Sequence, residues 1–180
     1  MRSFLALMTI AILAACQPAS TGSGDGGPAV RADVAGSARS GGFDRAEALA
    51  LAAKARDACA AHMPDTRATR AAFSAAGLPV VGSESRIWLH SPDPFQMIAS
   101  VNTTARDPGC FIAVRNMSAA EAEALIAPWL AQSGAQAMSS RGSTRRWKGQ
   151  FAGGPIGLAI VDDFNIPGFL RGRAIVARGL

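Results

Sequence analysis

Three short apolar stretches in the middle of the chain, separated by tight turns, constrain its fold most strongly. Residues 86–91, 95–101 and 110–115 are rich in apolar side chains over six or seven positions, which is typical of β-strands. Proline and glycine separate them, at residues 91–94 (Ser-Pro-Asp-Pro) and 106–109 (Arg-Asp-Pro-Gly). Because such short turns join antiparallel neighbours, the pattern predicts an antiparallel meander.

Helical periodicity flanks this meander on both sides. Helices are predicted over 44–62 and 66–76, the second with Asp65 as N-cap, and Ser118 with Glu121 forms a capping box that opens a third. The predicted order is ααβββαβββ, which reads as a helix followed by three strands, twice. This order indicates an α+β fold in which helices pack on an antiparallel sheet of about five to six strands. The remaining predicted strands are 144–151, 156–162 and 173–178.

The composition changes near residue 43. Residues 17–42 are rich in Gly, Ser, Ala and Pro and contain almost no large apolar side chains. Such a segment cannot bury enough surface to offset the entropy lost on ordering, so we interpret it as a flexible tether. Its typical end-to-end distance would be roughly 30 Å. Residues 43–180 are then a single globular domain, since 138 residues are enough for one core.

The first sixteen residues combine the basic Arg2, an apolar run over 4–13 and the tetrapeptide Leu13-Ala14-Ala15-Cys16. The apolar run is too short for a membrane-spanning helix, which needs about 20 residues. This layout resembles the signal peptide and lipobox of bacterial lipoproteins. The resemblance implies a signal peptide over residues 1–15 and a lipidated Cys16, which begins a tethering segment that extends to residue 42.

The same resemblance implies a location in the bacterial cell envelope. In lipoproteins an Asp after the lipidated Cys commonly retains the protein in the inner membrane, and this chain has Gln17 there. We therefore expect a lipid anchor in the outer membrane, with the domain facing the periplasm. Two or three acyl chains would hold it there almost permanently. An ordinary signal peptide, cut near Ala15 with Cys16 incidental, is the alternative.

Lipidation of Cys16 would leave Cys59 and Cys110 as the two other cysteines. An even pair in an oxidising compartment usually forms a disulfide, which we predict here. Closing a loop of this length would contribute about 4 kcal/mol to stability in the chain-entropy model. A reactive or metal-binding thiol pair is the alternative, although neither Cys lies in a Cys-x-x-Cys motif.

Positive charge is concentrated in the last quarter of the chain. Residues 136–180 hold seven Lys and Arg against two Asp. Such a cluster attracts anionic surfaces such as phospholipid or polysaccharide; a solvated face that aids solubility is the alternative. Nucleic acid is not an expected partner, because the export signal separates the chain from it. The candidate anion-binding residues are Arg145, Arg146, Lys148, Arg171 and Arg173.

Side chains suited to catalysis or metal binding are sparse. The chain has two histidines, His62 and His90, and no Tyr. His90, Ser91 and Asp93 supply the residue types of nucleophilic catalysis, but neighbours in an extended segment point to opposite faces. A zinc site needs three or four ligands, which the scattered His and carboxylate residues do not offer. We therefore predict no catalytic residues, no metal site and no cofactor.

Three functional hypotheses follow. The first is a non-enzymatic binding or structural module, anchored to the membrane by lipid, that binds another envelope protein or polymer. The second is an envelope hydrolase or wall-modifying enzyme that uses His90 and a nearby carboxylate. The third is a binder of anionic lipid or polysaccharide through the carboxy-terminal arginines. The absence of a catalytic motif favours the first.

Overall fold

The computed structural model describes residues 44–166 and 170–180. The predicted signal peptide (1–15) and the lipidated Cys16 with its tether (16–42) therefore lie outside the described residues. In chain order the elements are α1 (Arg45–His62), α2 (Thr66–Ala75), β1 (Val80–Glu84), β2 (Ile87–His90), β3 (Met97–Asn102), β4 (Gly109–Arg115), α3 (Ala119–Gln132), β5 (Gln136–Arg141), β6 (Thr144–Phe151), β7 (Gly154–Ile166) and β8 (Leu170–Gly179).

The predicted N-caps begin the second and third helices. The Asp65 carboxylate accepts hydrogen bonds from the backbone N–H groups of Arg67 and Ala68, both at 3.0 Å. Ser118 and Glu121 form the reciprocal capping box: each side chain accepts from the backbone N–H of the other residue. Because these bonds satisfy N–H groups that a helix leaves unpaired, the polar residues determine where α2 and α3 begin.

All eight strands form one antiparallel sheet, in the order β1-β2-β3-β4-β8-β7-β6-β5. The α+β class with an antiparallel sheet is confirmed. The predicted count of five to six strands and the order ααβββαβββ are wrong, because β1 and β5 are additional strands. Both lie at the edges of the sheet, where β5 is exposed along its whole length and β1 nearly so. Neither strand therefore shows the alternation of apolar and polar residues by which a half-buried strand is recognised in a sequence.

Two four-stranded meanders meet at the centre of the sheet. The pairing of β4 with β8 joins them, and residues from Gly109 to Arg115 match Arg178 to Gly172 in continuous antiparallel register. A helix precedes each meander, α2 in the first and α3 in the second. The helix-plus-three-strands repeat of the sequence is thus a helix-plus-four-strands repeat in the fold.

The three helices pack on one side of the sheet, hereafter the covered face. Cys59 of α1 forms a disulfide with Cys110 of β4, which confirms the predicted pair. The small, fully buried Ala52 allows α1 to approach the sheet closely. Trp129 of α3 donates its indole N–H to the carbonyl oxygen of Arg56 at 2.9 Å and so joins α3 to α1. The largest side chains of this core include Met97, Ile112, Ile126, Leu158, Ile160 and Ile175.

Candidate functional site

The candidate site lies on the side of the sheet opposite the helices, hereafter the open face. Alternate residues of every strand point to this face, and the strand register aligns them in rows across the sheet. One row, from β5 to β1, is Met138, Arg146, Ala159, Val176, Phe111, Ser100, Leu89 and Gly82. The next row is Gln136, Lys148, Gly157, Arg178, Gly109, Asn102, Ile87 and Glu84.

An apolar groove of about 450 Å³ crosses the middle of the open face. Its floor is apolar, with Leu89 from β2, Ile98 from β3, Phe111 from β4 and Val176 from β8. Its volume lies within the range of about 300–1,000 Å³ that is typical of small-molecule sites. Polar side chains contribute to its lining as well, namely Glu84, Ser100, Asn102, Asp107 and Arg178. A largely apolar cleft with a few polar groups is suited to an amphiphilic ligand.

The end of the β7–β8 hairpin forms one wall of this groove. The β7–β8 register shifts between Val161 and Phe164, which is the signature of a bulge and changes the course of the strand. Beyond the shift, the ring of Phe164 packs on Phe111 with centroids 4.3 Å apart. Leu170 and Ala174 are buried beside this pair and form a small second core. The hairpin thus builds a local apolar wall on a face that the helices leave open.

A second pocket of about 350 Å³, hereafter the basic pocket, lies beside the groove on strands β5 to β8. It shares the lining residues Val176 and Arg178 with the groove, so the two adjoin at β8. Arg146 adds a second cation, and none of the described residues that line this pocket is a carboxylate. The remaining apolar lining includes Met138, Ala159, Val161 and Leu180.

Of the three cations of the open face, Arg178 has a nearby carboxylate, and Arg146 and Lys148 have none among the described residues. Arg178 lies 3.1 Å from Asp107, measured from Nε to Oδ1. Within the described residues, Arg146 and Lys148 form no ion pair. Lys148 and Arg178 are both paired with Gly157, one on each side of it, so a residue without a side chain separates them. The open face therefore offers unpaired positive charge next to apolar surface.

Two of the predicted anion-binding residues have acidic partners elsewhere. Arg173 donates from Nε to Asp162 at 2.8 Å, and from Nη1 to the Met117 carbonyl oxygen at 3.1 Å. Arg145 forms ion pairs with Glu123 and with the same Asp162. Their charge is locally balanced, which leaves them less free to bind an external anion than the cations of the open face.

The predicted set of five basic residues therefore divides by location. Arg146 and Lys148 lie on the open face, and Arg171 is exposed at the end of the β7–β8 hairpin, where its carbonyl oxygen accepts from Asn116 N–H at 3.0 Å. The structure brings Arg178 to the first two, a residue outside the predicted set. Strand register determines which of these residues lie on the open face. Counting charges along the sequence does not reveal that register.

The side chains considered for catalysis do not form a hydrogen-bonded set. His90 is fully buried, and its Nδ1 lies 3.0 Å from the Leu78 carbonyl oxygen. The Ser91 hydroxyl donates instead to the carbonyl oxygen of Met97. The Asp93 carboxylate accepts from a backbone N–H within its own turn. A nucleophile, a base and an orienting group in mutual contact are therefore not found among these residues.

Three further findings concern metals, membranes and known proteins. In residues 44–166 and 170–180, no group of three His, Cys, Asp or Glu side chains converges to hold a metal ion. None of the described helices is long and apolar enough to cross a membrane. No family model, curated protein or solved structure matches the chain.

One sequence signal could have revealed the open face. In a sheet with one solvated face, strands alternate apolar and polar residues. Strand β4 instead reads Cys-Phe-Ile-Ala-Val over residues 110–114, and β8 reads Ala-Ile-Val-Ala over 174–177. Continuous apolar runs of this kind indicate strands that are apolar on both faces. With helices on one face only, such strands expose apolar side chains on the other.

Proposed function

We propose that this protein is a non-enzymatic, lipid-anchored envelope module whose open face binds an anionic amphiphile. The apolar chain of the ligand would occupy the groove over Phe111 and Val176, and its anionic group would contact Arg146, Lys148 and Arg178. The proposal is carried by one observation: an apolar groove that adjoins a pocket lined by two arginines, of which Arg146 has no acidic partner among the described residues. The lipobox-like Leu13-Ala14-Ala15-Cys16 supports the anchor.

The chemistry of the open face favours this class of ligand. Large continuous apolar patches on soluble domains mark binding sites, because exposed apolar surface is unfavourable in water. A purely apolar ligand would leave Arg146 and Lys148 without a function, and a purely polar anion would leave the groove empty. An amphiphile with a negatively charged group satisfies both. Anionic phospholipids and lipopolysaccharide have this chemistry, and both occur in the expected outer-membrane location.

The alternative of an envelope hydrolase or wall-modifying enzyme has less support. That hypothesis requires His90 to act with a neighbouring carboxylate. Its ring is instead buried under α2, where it packs against Phe73 with centroids 5.3 Å apart. The Asp93 carboxylate accepts from the N–H of Phe95 at 2.9 Å, within the β2–β3 turn. The groove and the basic pocket of the open face contain no histidine among their described lining residues.

Titration of the purified protein with lysophosphatidylglycerol, below its critical micelle concentration, tests the open face. We expect saturable binding that is weaker with the uncharged monoacylglycerol of equal chain length and that is not displaced by glycerol phosphate. Leu89→Asp, which places a charge in the groove, should lower affinity about tenfold or more. Val81→Asp is the matched control, since Val81 is exposed on the neighbouring strand and does not line the groove. Equal loss in both variants would contradict the proposal.

A second measurement isolates the cations. Lys148→Gln should weaken binding of the lysophospholipid and reduce its salt dependence, because exposed charges are screened by salt. Lys54→Gln is the control: Lys54 is exposed on α1, an element that packs on the covered face. Binding that is indifferent to salt, or equally reduced in both variants, would remove the role of the open-face cations.

The anchor is tested separately by labelling the expressing bacterium with palmitate. We expect label on the wild-type protein and none on Cys16→Ser, with Cys59→Ser retaining the label. Label that persists on Cys16→Ser would contradict lipidation at this residue. The test does not involve the open face, so the two parts of the proposal can fail independently.

A further inference from the structure

A third pocket, of about 480 Å³, lies on the helix side of the sheet between α2 and strands β1 and β2. We call it the α2 pocket. Its lining residues are Thr66, Arg67, Arg70, Ala71, Ser74, Val80, His90 and Thr103. The described lining thus contains two guanidinium groups and no carboxylate. The nearby Asp65 is engaged as the N-cap of α2.

Arg70 is held in a fixed orientation within this pocket. Its guanidinium lies 3.3 Å from the centroid of the Trp88 ring, a cation–π arrangement that leaves the N–H edge of the group unused by the ring. Its Nε is buried and has no hydrogen-bond partner among residues 44–166 and 170–180. A buried donor of this kind is costly unless something accepts from it. The stacking therefore presents a charged N–H group whose partner is missing.

His90 contributes the second unsatisfied group of this pocket, which is a hydrogen-bond acceptor. Its side chain is fully buried, and its Nδ1 lies 3.0 Å from the Leu78 carbonyl oxygen. Because a carbonyl oxygen only accepts, we assign the ring proton to Nδ1. Burial lowers the pKa of His90 below its ordinary value, which favours the neutral ring. Nε2 is then a hydrogen-bond acceptor, and no described residue donates to it.

We propose that the α2 pocket binds a small oxyanion that carries an O–H group, of which monoprotonated phosphate is the simplest example. Its charged oxygens would accept from Arg67 and Arg70, and its O–H would donate to Nε2 of His90. The ligand would satisfy the buried donor and the buried acceptor together. Free phosphate keeps this O–H at neutral pH, whereas a phosphate monoester, whose second pKa is about 6, has lost it there. This site is distinct from the open face and does not depend on the function proposed for it.

Sulfate distinguishes this arrangement from general electrostatic attraction. It has the shape of phosphate and a comparable charge but carries no proton at neutral pH. An oxygen lone pair of sulfate would therefore face the lone pair of His90 Nε2, with no hydrogen between them. A pocket that uses only its arginines would bind both anions alike.

The experiment is calorimetric titration of the purified protein with inorganic phosphate, with sulfate and with glycerol phosphate. We expect phosphate to bind at least about tenfold more tightly than sulfate, as the loss of one buried hydrogen bond implies. At about pH 8 glycerol phosphate carries no O–H on its phosphate and should bind as weakly as sulfate, so an affinity equal to that of free phosphate would overturn the proposal. Equal affinity for phosphate and sulfate, or no binding of either at millimolar concentration, would overturn the proposal.

Two variants locate the site. Arg70→Gln should lower phosphate affinity about tenfold or more, whereas Arg106→Gln, in the exposed β3–β4 turn, should leave it unchanged. His90→Gln replaces the acceptor with a side chain that can also donate, so sulfate should gain affinity relative to phosphate. If His90→Gln does not fold, Arg70→Gln and the comparison of the two anions still decide. Equal loss in Arg70→Gln and Arg106→Gln would overturn the proposal.

Discussion

On the covered face, Ile112 of β4 and Ile175 of β8 are paired across the centre of the sheet and fully buried beneath the helices. One residue away on the same strands, Phe111 and Val176 are also paired, but they face the open side and remain partly exposed. The backbone, the strands and the residue class are the same. Only the presence of a helical layer differs, so the difference in exposure comes from tertiary packing.

This comparison separates two uses of apolar surface. On the covered face, helix side chains fill the space above the strands, and burial there stabilises the fold by about 25 cal/mol for each Å² removed from water. On the open face, Phe111 of the apolar floor packs on Phe164 at the end of the β7–β8 hairpin, and no residue of a described helix lines the groove. Its remaining apolar surface contributes little to the folded state by itself and is available to a ligand. We therefore expect substitutions on the covered face to lower stability with little effect on binding, and substitutions on the open face to lower binding with little effect on stability.

The largest expected effect concerns the disulfide that attaches α1 to the covered face. Replacing Cys59 and Cys110 together with Ala should lower the free energy of unfolding by about 4 kcal/mol, because the closed loop no longer restricts the unfolded chain. Urea unfolding measures the loss. Mass spectrometry without reductant should show no free thiol at either position in the wild type. Two alkylatable thiols there would contradict the bond and this estimate.

Truncating one large side chain on each face tests the comparison directly. Ile112→Ala on the covered face should cost about 3 kcal/mol, since it removes fully buried methylenes and leaves a cavity. Leu89→Ala on the open face should cost about 1 kcal/mol or less, because Leu89 is partly exposed already. Leu89→Ala should lower the affinity for lysophospholipid more than Ile112→Ala does. Equal stability losses would show that the open face is packed as tightly as the covered one.

Two adjacent residues of β3 allow the opposite test, in which a small side chain on each face is enlarged. Ala99 points to the covered face and Ser100 to the open face, and both are buried in the free protein. Ala99→Leu should destabilise the fold by about 2 kcal/mol through overpacking. Ser100→Leu extends into the groove, so its free energy of unfolding should change by less than about 1 kcal/mol while the affinity for lysophospholipid falls. Normal binding by Ser100→Leu would place the ligand elsewhere.

The smallest effect concerns the ion pair that links two covering helices. Arg45 at the start of α1 donates from Nε to Glu121 of α3 at 2.9 Å, and the pKa of Glu121 is lowered to about 2, first by Arg45 and then by Ser118. A carboxylate with a lowered pKa in the folded state stabilises above its ordinary pKa, near 4.5, and this contribution is lost as the pH falls through about 2.

We therefore expect Glu121→Gln to cost less than about 1 kcal/mol at neutral pH, because the pair is partly exposed to solvent. The difference from wild type should disappear as the pH approaches 2. Glu47→Gln, at an exposed position in the first turn of α1, is the control. A difference between Glu121→Gln and wild type that is constant from pH 7 to about 2 would contradict the assigned pKa. Unfolding by urea across this pH range measures both variants.

Local features of the fold could be predicted from the sequence. Asp65 and Ser118 with Glu121 mark helix starts because their side chains bond to nearby backbone N–H groups. The turns around Pro92 and Pro108 follow from backbone restrictions that act within a few residues. The Cys59–Cys110 bond followed from counting cysteines once a lipidated Cys16 was assumed. Lipidation of Cys16 and the outer-membrane location stay predictions.

Features that depend on distant neighbours could not be predicted in the same way. Strands β1 and β5 bury almost nothing, so the pattern of apolar residues does not reveal them, and pairing with β2 and β6 completes them. The candidate sites show the same limit. Arg145 and Arg146 are adjacent in sequence, yet Arg145 reaches acidic partners and Arg146 lines the basic pocket.

The sequence alone determined the helix caps, the turns, the fold class and, through the cysteine count, a disulfide, because each depends on short-range chemistry or on residue type. Tertiary structure alone decided which side of the sheet the helices cover, and therefore which apolar residues form the core and which form the groove. It also decided that His90 and Arg70 share one pocket. The physical reason is strand alternation: successive side chains point to opposite faces, and only long-range packing determines which face is buried.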